Sequence, residues 1–339
     1  VDHAVSRQFF ENIAAVLNGR PLDYMIVQHM EPDHAASIEE VIRRYPDVTL
    51  SCNKKTEAML SQFFSESCAV QTVDATTVFT TGTHTFSFVM APMVHWPEVM
   101  VSYDRTAKIL FSADAFGTFG ALNGTLFANP EQFRTEWLPE ARRYYTNIVG
   151  KYGAPVQALL KAAAGLDITM ICPLHGPVLH QELSPYLNAY QSWSSYTPEE
   201  KGVCVVYASV YGHTENAAEL LAARLADSGV TSLAVYDAAV THPSYLVAEA
   251  FRYSHLVFAA PSYNAGIFDS MEFLLRDLVH HNLQNRKIAL LENGSWAPTA
   301  AKGMAELIGQ LKNCELISRP ISIRSAVKAE QASQINALA

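Results

Sequence analysis

The chain has 339 residues, of which 49% are hydrophobic and 17% charged. That is apolar material for two buried cores, and it excludes a disordered chain. With 24 basic residues against 33 acidic ones the formal net charge is -9, so there is no electrostatic footprint for nucleic acid or an anionic membrane. The five cysteines, Cys52, Cys68, Cys172, Cys204 and Cys314, are scattered, odd in number and without a CxxC pair. They form no disulfide framework and fit a reducing cytoplasm. No apolar run approaches the roughly 20 residues that span a bilayer, and the opening residues lack the layout of a signal peptide. The chain starts without an initiator Met, directly in a helical pattern, as a fragment or a trimmed chain would.

In chain order, apolar residues recurring at three and four predict helices at Glu11–Leu17 and Ser37–Arg44. Tyr24–Val27, Phe86–Met90, Ile109–Phe111 and Ile168–Ile171 read as buried strands, and a longer helical region runs from Pro130 to Ala164. The polar, turn-rich stretch Gln191–Gly202 is read as the boundary between a first domain, 1–197, and a second, 202–339. Beyond it strands at Val203–Ala208, Ser232–Tyr236, Leu256–Ala260, Lys287–Leu291 and Ile321–Ile323 alternate with helices at Glu215–Asp227, Ser244–Arg252, Ser270–Leu278 and Ala300–Lys312. Five strands separated by helices predict a doubly wound parallel sheet, because parallel strands need helical crossovers.

The strongest local signal is His29-Met30-Glu31-Pro32-Asp33-His34, directly behind the strand at Tyr24–Val27. Four potential metal ligands, His29, Glu31, Asp33 and His34, fall within six residues at a strand's C-terminal end, where α/β folds place their sites. A polar loop with helix-capping residues is the plainer alternative. His95, Asp114 and His175 also follow strands, so all seven side chains can converge on one rim of a sheet sandwich. Four imidazoles with three carboxylates and no thiolate suit redox iron better than structural zinc.

This His-x-Glu-x-Asp-His segment, followed by distant His, Asp and His, resembles the flavodiiron proteins. The resemblance implies an α/β, metallo-β-lactamase-like αββα sandwich as the first domain. It also implies that His29, Glu31 and His95 bind one iron, that Asp33, His34 and His175 bind the other, and that Asp114 bridges them. Zinc hydrolases of the same fold show His-x-His-x-Asp-His, and Glu31 stands in place of their second histidine. Members of the family usually begin with several dozen residues of β-strand before the helix that opens this chain, so the sandwich is expected to lack its first strands.

Three loops mark the second domain. Ser209-Val210-Tyr211-Gly212-His213-Thr214 leads from a strand into a helix, where backbone N–H groups and the helix N-terminus can cradle a phosphate; an ordinary cap at Thr214 is the alternative. Pro261-Ser262-Tyr263-Asn264-Ala265-Gly266 and Asn293-Gly294-Ser295-Trp296 follow the third and fourth strands. No GxGxxG follows the first strand, which disfavours a dinucleotide. The three loops resemble the flavodoxin signature, which implies FMN, its phosphate in the first loop and its ring between the other two, with Trp296 stacked on it and Tyr263 nearby.

Together the resemblances imply an oxidoreductase that reduces dioxygen to water, nitric oxide to nitrous oxide, or both. Electrons would pass through FMN from a rubredoxin-like donor on a separate chain. They also imply a head-to-tail homodimer, or a tetramer made of two such dimers, that sets the FMN of one subunit against the irons of the other. The alternatives are a metallo-β-lactamase-type hydrolase with a fused flavodoxin domain, and an FMN electron carrier with an inactive metal site.

Overall fold

The computed structural model describes residues 1–66 and 68–339, which fall into two compact units. One comprises Val1–Ala141 with Ala154–Asn188, and the other Arg142–Gly153 with Ala189–Ala339. The chain is therefore not divided at a single cut. Arg142–Gly153 and the residues from Ala189 onward, which the sequence assigns to the first domain as far as 197, pack with the second.

The first unit opens with α1 (Ser6–Leu17), closed by Asn18 in a left-handed conformation. Next come β1 (Tyr24–Ile26), α2 (Pro32–Ala35), α3 (Ile38–Arg44), β2 (Thr49–Cys52), α4 (Lys54–Phe63) and β3 (Ala69–Thr72). The strands β1, β2 and β3 form a small parallel sheet, in register at Tyr24↔Thr49 and Thr49↔Ala69. One of its faces buries Val27, Leu50 and Cys52 against Ile38 and Ile42 of α3 and Met59 and Leu60 of α4. Each fully buried aliphatic side chain there contributes about 1.5–3 kcal/mol.

The larger sheet is built from β4 (Val78–Thr80), β5 (Thr85–Met90), β6 (Met100–Asp104), β7 (Ile109–Phe111), β8 (Phe127–Ala128), β9 (Met170–Cys172) and β10 (Val178–His180), in the order β4-β5-β6-β7-β9-β10-β8. Phe79, Phe88 and Met100 of this sheet pack with Ile26 of β1 and with Val73 just after β3, and that contact makes the two sheets a sandwich. Between β8 and β9 the helical region starts at Asn129, whose side chain caps α5 (Pro130–Gln132) with Pro130 at the first position. It is not one continuous α-helix. A five-residue π turn at Phe133–Trp137 separates α5 from α6 (Leu138–Tyr144), and a second at Tyr145–Val149 follows α6 before α7 (Gly153–Ala163) completes the run.

In the second unit α8 (Ser184–Ser194) leads into β11 (Glu200–Tyr207). The stretch Gln191–Gly202 is not a solvated linker. Trp193 is 1% exposed, and buried Tyr196 donates its hydroxyl to Gly150 O at 2.9 Å. Aromatic residues set among polar neighbours make this segment core.

Then follow α9 (His213–Asp227), β12 (Leu233–Asp237), α10 (Pro243–Arg252), β13 (Tyr253–Tyr263), β14 (Gly266–Ile267), α11 (Asp269–His280), β15 (Lys287–Asn293), α12 (Ala300–Ile308), β16 (Glu315–Leu316), β17 (Ile321–Ile323) and α13 (Ala329–Leu338). The parallel order is β12-β11-β13-β15, and β16 and β17 share the fifth position, both pairing with β15. Cys204 and Val206 of β11 face a core with Phe251, Leu274 and Met304, while Val205 and Tyr207 face one with Leu221, Leu225 and Ile335. A strand covered on both faces reads as a continuous apolar run, which is why this half was legible as a doubly wound sheet. Among the described residues no helix is long and apolar enough to cross a membrane.

Candidate functional site

The loop after β1 and the loops after β5, β7 and β9 end at the same rim of the first unit. They bring His29, Glu31, His95 and Asp114 into one group and Asp33, His34 and His175 into another. In the first group, Glu31 Oε2 lies 3.2 Å from His29 Nε2 and 2.9 Å from His95 Nε2. Asp114 Oδ2 is 3.3 Å from His29 Nε2 and 3.0 Å from His95 Nε2. The other oxygen of the same carboxylate, Oδ1, is 3.0 Å from His34 Nε2 and 3.7 Å from His175 Nε2. Asp33 Oδ2 completes the second group, 3.3 Å from His175 Nε2 and 3.5 Å from His34 Nε2. Asp114 thus presents one oxygen to each group.

The two sides of this constellation differ in access. His29 and Asp114 are buried, whereas Glu31, Asp33 and His175 keep about a third of their side chains open to solvent. Burial disfavours charge on His29, yet Asp114 and Glu98 outweigh it and hold the imidazole up to about 10. His95 is also raised against burial, mainly by Asp114. Asp114 is driven far below the usual carboxylate range, against burial, by His29, His34 and His95. Burial lowers His175. Both oxygens of Asp114 and Oδ1 of Asp33 are buried without a hydrogen bond of good geometry, although imidazole nitrogens crowd around those of Asp114. Buried polar atoms are ordinarily satisfied, and hard oxygens with Nε2 atoms aimed into one space are a donor set for two cations.

The ligand loops carry backbone strain. Met93, Ala113 and Phe116 adopt left-handed conformations without being glycine, at φ 66, 51 and 67. Gly176, directly after His175, sits at φ +81, and a Cβ there would lie 2.0 Å from Thr118 Oγ1. Glu98 was not read from the sequence as part of the site. It is 1% exposed and its Oε1 lies 2.7 Å from His29 Nδ1. It stands three residues after His95 in the same string, and nothing local marks it, because its partner is remote in the chain.

In the second unit the three expected loops lie at the C-terminal ends of three neighbouring strands. β11 pairs with β13, and β13 with β15, at Tyr207↔Ala259 and Pro261↔Asn293. Thr214 is buried inside α9 and does not cap it. The cap position is Gly212 at φ 82, whose N–H donates to Ser209 Oγ at 3.1 Å. Val210, Tyr211 and His213 are exposed. In the second loop Asn264 and Ala265, both left-handed, make a tight turn between Tyr263 and Gly266. Ser262 is engaged elsewhere, accepting from Thr299 N at 2.7 Å and Ala300 N at 3.2 Å at the start of α12. Likewise Asn293 is clipped to Ser325 by bonds of 2.9 and 3.0 Å, and Ser295 meets Ser325 Oγ at 2.9 Å. A Cβ on Gly294 would come within 2.9 Å of Pro298 Cα. Trp296 and Tyr211, in the loops after β15 and β11, are 86% and 89% exposed and present large aromatic faces to solvent.

Residues 2–176 match a family model described as ODP family beta lactamase. The anaerobic nitric oxide reductase flavorubredoxin of Aeromonas hydrophila is 25% identical over 87% of the chain, which spans only 60% of that longer protein. The rubredoxin-oxygen oxidoreductase of Megalodesulfovibrio gigas is 26% identical, over 96% of this chain and 81% of its own. Among solved structures, the flavodiiron protein from Giardia intestinalis shares the fold with a TM-score of 0.93. It is 22% identical and is matched over 99% of this chain and 83% of its own.

Proposed function

Because the chain belongs to the ODP family of beta-lactamase domains, in its flavodiiron form, we propose that it is an oxidoreductase reducing dioxygen to water, nitric oxide to nitrous oxide, or both. The observation that carries this reading is the split carboxylate of Asp114, one oxygen toward His29 and His95 and the other toward His34 and His175. In this reading His29, Glu31 and His95 hold one iron, Asp33, His34 and His175 the second, and Asp114 joins them. When bound, two irons and a reduced FMN supply the electrons that take dioxygen to water without releasing peroxide, or couple nitric oxide to nitrous oxide.

The protein's own part is placement and charge. Three carboxylates offset the charge of two cations at close range, and Glu31 makes the first position harder than the two-histidine counterpart of a zinc hydrolase. The half-open side formed by Glu31, Asp33 and His175 is where a small neutral gas would enter. In the second unit the N–H groups at Gly212–Thr214 and the start of α9 would receive the FMN phosphate. Trp296 and Tyr263 would flank the ring, and the main chain at Asn264–Gly266 and Gly294–Ser295 would approach its edge. Side chains already spent on Thr299, Ala300 and Ser325 rigidify those loops instead of reaching the flavin.

The names of the relatives support a rubredoxin-like donor. A head-to-tail homodimer, or a tetramer made of two such dimers, in the cytoplasm completes the proposal. The test is metal and flavin analysis, followed by anaerobic reduction and separate exposure to oxygen and to nitric oxide. Two irons, one FMN and turnover with either gas support the reading. Two zinc ions per chain with no reductant-linked gas consumption would sink it in favour of a hydrolase.

A further inference from the structure

Glu98 is the buried acid of the first unit that touches the proposed centre without belonging to its ligand set. Its Oε1 receives two hydrogen bonds, from Met30 N at 2.9 Å and from His29 Nδ1 at 2.7 Å. Its own carbonyl accepts from Asn53 Nδ2 at 2.6 Å, and Asn53 caps α4 through Lys55 N and Thr56 N. The acid therefore clamps the β1 loop, the β5–β6 loop and the end of β2 at one point. Its second oxygen, Oε2, is buried with no hydrogen-bond partner.

An imidazole that gives its Nδ1 proton to a fixed carboxylate is committed to offering Nε2 as donor, with its ring plane set. It is also a stronger donor, because negative charge builds on the ring. We infer that Glu98 is the positioning residue of the His29 position, holding that ion more tightly and favouring its oxidised state. This rests on the diiron reading above.

The experiment uses the full chain loaded with ferrous iron. Parent, Glu98→Gln, Glu98→Ala and Asn53→Ala are compared by metal content, chelator competition and redox titration followed by the electron paramagnetic resonance of the half-reduced site. Glu98→Gln keeps an acceptor for His29 but removes the charge. It should retain two irons while the lower midpoint potential rises and the mixed-valence signal changes. Glu98→Ala should lose one iron preferentially, with roughly 10–100-fold weaker retention. Asn53→Ala loosens the same clamp without touching the carboxylate, and should lower thermal stability while leaving both potentials in place. The inference is overturned if Glu98→Gln and Glu98→Ala keep the parent's potentials and iron retention. It is equally overturned if Asn53→Ala reproduces their shifts, which would make the role structural. If the parent itself takes up no iron, the diiron reading falls and this inference with it, an outcome distinct from the other two.

Discussion

Ala113, Met93 and Gly176 place the ligands as much as the ligands' own chemistry does. Gly176 has both a positive φ and Thr118 Oγ1 where a Cβ would stand, so Gly176→Ala should destabilise the fold by about 1–3 kcal/mol and release the iron that His175 would hold. Thermal melts and iron counts check this. Adding Thr118→Ala should restore part of the stability by removing the overlap, and a double variant no better than the single one would contradict the steric argument. The titration of His29 leads to a second prediction. Its folded, metal-free pKa is raised to about 10 from 6.5, so the stability it lends the metal-free chain is fully present below 6.5 and lost as pH rises through about 10. Metal must displace that proton, so apparent iron affinity should climb with pH and loading at pH 7–8 should release protons. Calorimetry in two buffers of different ionisation enthalpy measures the release, and identical heats in both would refute it.

Elements decide how well such residues could be foreseen. The HMEPDH segment was legible because four donors lie together behind a strand, and α3 behind it was found nearly to the residue. By contrast β6 reads Met-Val-Ser-Tyr-Asp, all buried, with Ser102 satisfied by Gln28 Nε2 at 2.9 Å and Asp104 by the turn amides of Thr106 and Ala107. Polar residues inside a buried strand hide its apolar period, so it went unread, as did the two- and three-residue strands β8 and β10. Glu98 escaped for a related reason: an acid beside a proline resembles a surface turn until the fold sets it against His29. In the second unit Ser262, expected near the flavin, also accepts from Thr299 N and Ala300 N at the start of α12. Ser262→Ala should leave two N–H groups of α12 unsatisfied, costing about 1 kcal/mol, with a modest loss of FMN affinity through loop disorder. Gly294→Ala, which meets Pro298 backbone, should weaken FMN far more for a similar loss of stability. Flavin fluorescence titration of the two variants separates the cases, and equal FMN affinities would argue against a loop pressed close to the ring.

At the scale of the whole molecule, each of the two units has apolar cores of its own and can be perturbed through them. Phe258 is fully buried in the second, and Phe258→Ala should cost about 3–5 kcal/mol there while iron retention in the first is unchanged. Stripping iron with a chelator should do the reverse, lowering the melting of the first unit because bound metal stabilises only the folded state. Differential scanning calorimetry with flavin release followed in parallel reads both, and a single transition shifted alike by both treatments would contradict independence. The second unit was the more legible of the two because its central strands β11, β13 and β15 are covered on both faces and read as continuous apolar runs. Its last strand departs from that regularity. β16 and β17 occupy one sheet position in two pieces, parted by residues 317–320 with Pro320 at the join. A continuous outer strand would present an unbroken ladder of free amides and carbonyls, a template on which a neighbouring molecule could add its own strand. The interruption leaves two short stubs and a residue that cannot donate, with Leu316 and Ile317 exposed beside them. The break thus works as a guard against edge-to-edge aggregation in a crowded cell.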